Sequence, residues 1–209
     1  DLRQVHLGIA RPEYGDPVQF FERTYITRGL KYLLAQTLQR LNGIGGEPVI
    51  DLMTNFGGGK THSEIAVYHL AGGSAADSLL GVREVCDEVG VADVPAGVSR
   101  AVIVGNDLSV LGSTKLDGTV VNTMWGELAH QLGGKDGFAR VSRYDENGVP
   151  PTTTEIAALL EAYAPCVVLI DEWVSYMRQL YSRGTDDPYP AGSFDAHQTW
   201  AQSLTEAMK

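Results

Sequence analysis

Two short strings carry residue types that could handle a nucleoside triphosphate. One is TNFGGGKTH, residues 54–62; the other is VVLIDE, residues 167–172. In the first, Gly57, Gly58 and Gly59 precede Lys60 and Thr61. Consecutive glycines let backbone N–H groups converge on one anion, and a helix that follows turns its positive end toward it. In such a loop the lysine reaches the β- and γ-phosphates and the threonine hydroxyl ligates Mg2+. Asn55, Phe56 and His62 flank these residues and complete the candidate nucleotide-binding set. In the second string, Val167 to Ile170 are apolar and lead into Asp171 and Glu172. At the C-terminal end of a strand, Asp171 would hold the Mg2+ shell and Glu172 would act as general base on an attacking water. Lys60 and Glu172 are thus the catalytic candidates, and Thr61 and Asp171 the metal candidates.

A Gly-Lys-[Ser/Thr] triplet alone is weak, since it arises by chance in about one chain in ten of this length. The full phosphate-loop pattern also asks for glycine at position 54, where this chain has Thr54. Context strengthens the signal. PVIDLM, 48–53, reads as a short apolar strand, and KTHSEIAVYHLAG, 60–72, as a helix that stops at Gly72-Gly73. Ligands bind where strand ends meet helix N-termini. The plain alternative for Asp171 and Glu172 is a strand that ends in two surface acids. Asn106 ends a second apolar strand, RAVIVGND, 100–107. It could hold the glutamate in an inactive pose, or serve only as a turn residue. TKLD, 114–117, imitates a guanine-reading motif but precedes the Asp-Glu strand, so a loop is expected there. His62 and His69 lack the i, i+4 spacing of a metal pair.

The elements around these strings alternate. Leu30, Leu33, Leu34, Leu38 and Leu41 recur at helical spacing between Thr27, a candidate N-cap, and Gly43, a candidate stop. Helices are also expected over 122–134, over 152–164 (where Thr152 and Glu155 have capping-box spacing), over 174–182 and from 194 onward. Residues 134–151, rich in glycine with Pro150-Pro151, read as an exposed excursion. Three strands between helices predict an α/β fold, a mainly parallel sheet in three layers. A 1–46 arm and helix would pack on a 47–209 core as one structural unit. A whole strand separates the glycine loop from the Asp-Glu strand, as in the additional-strand, catalytic-glutamate type of P-loop NTPase.

The net charge of −10, from 16 basic and 26 acidic residues, argues against direct nucleic-acid binding, which needs clustered Lys and Arg. Cys86 and Cys166 have no metal spacing. No signal peptide or bilayer-length apolar run is present, so a cytoplasmic protein without membrane contact is expected. The chain begins at Asp1 and stops inside a helical pattern. A core truncated after its Asp-Glu strand, before sensor strand and lid, is therefore the expectation.

DPVQFFERTYITRGLKYLL, TNFGGGKTHSEIAVYHL and VVLIDEW together resemble a family of large prokaryotic AAA+-type ATPases found in phage-defence islands. The ATPase of phage growth limitation and BREX-type systems is similar. The resemblance covers most of the chain and makes Thr54 a family feature. It implies ATP and Mg2+ as cofactors, and a P-loop ATPase that drives remodelling in a phage-defence or DNA-restriction system. An ATP-loaded switch or scaffold with little turnover is the alternative. Implied partners are other phage-defence or DNA-modification proteins, with self-association of the full-length protein. Asp16, Phe20 and Tyr25 would lie near the base or ribose.

Overall fold

The computed structural model describes residues 1–53, 59–181 and 189–209. They form two compact units, Asp1–Arg100 with Pro165–Val167, and Ala101–Ala164 with Val168–Lys209. The helix before residue 46 packs on the helix beyond it, within the first unit.

The first unit is helical. Helices α1 (Leu2–His6), α2 (Pro12–Gly15) and α3 (Pro17–Glu22) come first, then α4 (Arg28–Leu41), α5 (Lys60–Leu70) and α6 (Val82–Val89). Thr27 caps α4 by accepting the Leu30 N–H, as its sequence predicts. The leucine stripe turns inward: Leu30, Leu33, Leu34 and Leu38 are buried. Each such side chain contributes about 1.5–3 kcal/mol before the cost of ordering it. Helix α5 is buried along most of its length, from Glu64 to Leu70, and packs against α1, α3 and α4. Gly72 and Gly73 follow it, Gly73 with φ 80°. The predicted strand over 48–53 is absent: among the described residues no ladder pairs it. Its β-branched residues favour extended backbone, and Ile50 and Leu52 are half-buried while Val49 and Met53 are exposed.

The second unit holds Ala101–Val104 and Val168–Asp171 of the two paired strands. Strands β1 (Ser99–Val104) and β4 (Cys166–Asp171) are hydrogen-bonded neighbours despite their separation in sequence. Ala101 to Val104 are buried, as expected for the strand at 100–107, while β4 is half-buried throughout. A hairpin of β2 (Ser113–Thr114) and β3 (Val120–Val121) leads into α7 (Met124–Ala139), α8 (Ser142–Glu146) and α9 (Thr153–Ala162). The Thr152–Glu155 capping box forms. Helix α10 (Trp173–Tyr181) follows β4, and α11 (Phe194–Ala207) packs on α9 and α10. Trp125, Tyr176, His197 and Trp200 make a buried aromatic centre, with Trp125 and His197 ring centroids 5.2 Å apart.

The expected exposed excursion at 134–151 is a correction. Helix α7 runs on to Ala139 with a kink at Gly133 and Gly134, whose backbone is non-helical, and α8 follows it. Gly133 is needed there because the Tyr163 ring fills the place of a side chain. Val141 and Asp145 beyond the kink are fully buried. The glycines mark close packing rather than a loop.

Candidate functional site

In the first unit, the site is the start of α5. Helices α3, α4, α7, α9 and α11 each open on a side chain that accepts from the first turn, from Asp16, Thr27, Thr123, Thr152 and Ser193. Helix α5 opens on Gly59, in the left-handed region at φ 80°, with no side-chain cap, as α6 does on Gly81. Glycine adopts that backbone without steric cost. The first turn carries no acid, and Lys60 at its head is exposed. Thr61 is half-buried beside it, and the Ser63 hydroxyl donates back to the Gly59 carbonyl at 3.0 Å. The start of the helix carries the positive end of its dipole, which favours a negative group there.

His62 ties this turn to the N-terminal arm. The Thr24 hydroxyl donates its one proton to the Phe20 carbonyl at 2.7 Å. It therefore accepts from the His62 Nε2–H, 3.1 Å away. The His62 ring also stacks on Phe20, with centroids 4.6 Å apart. Phe20 in turn meets His69, whose Nε2–H donates to the Tyr14 carbonyl at 2.7 Å. Burial pushes the pKa of both histidines below 6.5. In the second unit, burial does the same to His197, whose Nε2–H donates to the Ala191 carbonyl at 3.0 Å.

Three neutral imidazoles, His69 and His197 buried and His62 exposed, give a stability prediction. Their folded pKa values lie below the unfolded 6.5. As pH falls past about 6.5 the unfolded chain takes up these protons first, so stability is complete above that pH and drops below it. Melting temperature should decline between pH 7 and 5. The carboxylates with lowered pKa, Asp93, Asp117 and Glu155, add their losses only in stronger acid. A melting temperature flat across this window would contradict the assignment.

In the second unit, the site is the end of β4. Asp171 is its last residue, and its Oδ1 accepts the Glu172 N–H at 2.9 Å. Glu172 is exposed, and its carbonyl accepts the Ser175 N–H at 3.1 Å as α10 begins. Its φ is 54°, the one positive value at a non-glycine position among the described residues. Gly105, on the 3-10 turn Gly105–Asp107 after β1, lies against this peptide. A Cβ there would run into the Glu172 carbonyl oxygen, with the carbonyl carbon at 2.9 Å and Tyr176 Cβ at 3.1 Å.

Lys60, Thr61 and His62 thus stand together on one turn, and Asp171 and Glu172 together at one strand end. Each group belongs to its own unit. Thr54, Asn55, Phe56, Gly57 and Gly58 lie outside the described residues. Asn106 is exposed on the same turn as Gly105. TKLD is the tip of the β2–β3 hairpin, and both of its charges are engaged: Lys115 pairs with Glu127, and Asp117 accepts from Thr119 N–H and His130. Of the arm residues expected near a base, Asp16 caps α3 and Phe20 is buried, whereas Tyr25 is exposed. Thr24 and Gly105 gave no functional signal in the sequence. A glycine closing an apolar strand could have hinted at the close approach.

Fold and site together define a mixed α/β protein with a glycine-entered, lysine-headed helix and an acidic strand end. The chain belongs to the DUF499 N-terminal domain family, whose model matches residues 1–192. No match was found among curated proteins or solved structures. Among the described residues, no helix is long and apolar enough to cross a membrane.

Proposed function

We propose that the protein binds ATP with Mg2+ and hydrolyses it, as the ATPase module of a larger prokaryotic protein. Its cycle would drive remodelling in a phage-defence or DNA-restriction system, with other proteins of that system as partners. The observation that carries this reading is the uncapped start of α5: a left-handed Gly59 followed by an exposed Lys60 and by Thr61. A polyanionic phosphate chain is what such a turn stabilises best. Lys60 would supply a point charge to the β- and γ-phosphates. Thr61 and Asp171 are the residues that would hold Mg2+, which would supply positive charge to offset that of the phosphates. Glu172 takes a proton from water as its oxygen bonds to the γ-phosphorus; the bond to the β-bridging oxygen breaks, releasing ADP and phosphate.

Calorimetric titration with ATP and Mg2+ tests the binding step. The wild type should bind, and Lys60→Ala should weaken binding tenfold or more, about 1.4 kcal/mol. Asp171→Ala should weaken binding only when Mg2+ is present. A wild type that takes up no ATP, or a Lys60→Ala protein that binds as well, removes the reading.

A further inference from the structure

Strand β4 passes into α10 through a residue whose backbone would suit glycine, yet that residue is Glu172, at φ 54°. An L-residue in the left-handed region is disfavoured because its Cβ crowds the following carbonyl oxygen. Three contacts hold the peptide there. Its N–H is taken by Asp171 Oδ1 at 2.9 Å, its carbonyl starts the α10 ladder at Ser175, and Gly105 leaves room for that carbonyl. Strained backbone persists where its surroundings over-determine it, and it collects at functional positions. Glycine would make the same turn at lower cost, so what the glutamate adds is its carboxylate.

We infer that Gly105 is a positioning residue, which holds Glu172 in the left-handed conformation that presents its carboxylate beside Asp171. This rests on Glu172 being the general base proposed above. A side chain at Gly105 pushes the Glu172 carbonyl away, and the peptide can then relax toward ordinary strand or helix geometry. The carboxylate moves with it. Binding of ATP at α5 is unaffected, because Gly105 contributes nothing to that turn.

Two sets of variants test this. Thermal melts of Glu172→Gly, Glu172→Asn, Glu172→Ala and Glu172→Val read the backbone alone. Glycine and asparagine tolerate positive φ, so Glu172→Gly should melt about 2 °C or more above Glu172→Ala. Valine should be lowest. Alanine equal to or above glycine overturns the inference whatever the protein does with ATP. Steady-state ATP hydrolysis by Gly105→Ala reads the positioning: kcat should fall at least tenfold with KM within about twofold. A folded Gly105→Ala protein with wild-type kcat also overturns it. If Gly105→Ala does not fold, the melting order at position 172 decides. The reversed melting order in a wild type that binds ATP sinks this inference and leaves the nucleotide reading intact. The expected order in a wild type that binds no ATP sinks the nucleotide reading, and with it any catalytic purpose for Gly105.

Discussion

Glu172→Gln should bind ATP and Mg2+ within about twofold of wild type while its turnover falls roughly 10²–10⁴-fold. That is about 2.7–5.5 kcal/mol of transition-state stabilisation. Glutamine keeps the size of glutamate and the backbone contacts to Asp171, Ser175 and Gly105. It cannot accept a proton from the attacking water, so the loss should fall on kcat and spare KM. Single-turnover phosphate release beside calorimetry separates the two steps. Asp171→Asn should behave differently, losing Mg2+-dependent binding as well as turnover. Were Glu172→Gln to turn over like wild type, the general-base role would be gone, and an ATP-loaded switch with little dependence on hydrolysis would be the better account.

How much of this was legible in the sequence depends on the length scale of the interaction. Caps and stripes are local, and they were readable: Thr27 caps α4, Thr152 and Glu155 make their box, and the leucines of α4 turn inward. Strands need partners, which local sequence does not contain. RAVIVGND and CVVLID became β1 and β4, yet the equally apolar 48–53 found no ladder among the described residues. Glycine misled in one direction. Gly134 looked like the start of a loop and, with Gly133, makes a kink in a packed helix, where Tyr163 takes the space a side chain at Gly133 would need. At the site, the lysine-headed helix and the Asp-Glu strand end could be seen as strings. Thr24, 38 residues before His62, and Gly105 could not, because their parts are set by tertiary contact.

Asp145→Ala should cost about 3–5 kcal/mol of stability, the largest loss expected for a residue outside the core hydrophobes. Its carboxylate is fully buried and accepts from the Asn122 N–H, the Asn122 side-chain amide, the Thr123 N–H and the Thr123 hydroxyl, the last two at 2.8 and 2.6 Å. Alanine leaves all four donors without an acceptor, and each buried orphan carries its own desolvation penalty. The melting temperature should drop on the order of 10 °C. Glu146→Ala, one residue on and exposed, should stay within about 0.5 kcal/mol of wild type. Denaturant titration with an unchanged slope would show that the native state, and not the compactness of the unfolded chain, has changed. The loss should also reach the strand end. Thr123, held by Asp145, caps α7 through the Gly126 N–H. From α7, Gln131 takes both the N–H and the carbonyl of Val102 in β1, at 2.7 and 2.8 Å. Strand β1 leads into Gly105, and Gly105 meets Glu172. Held well below its melting temperature, the Asp145→Ala protein should therefore lose turnover beyond its unfolded fraction, while a protein that loses stability alone would keep its kcat per folded molecule.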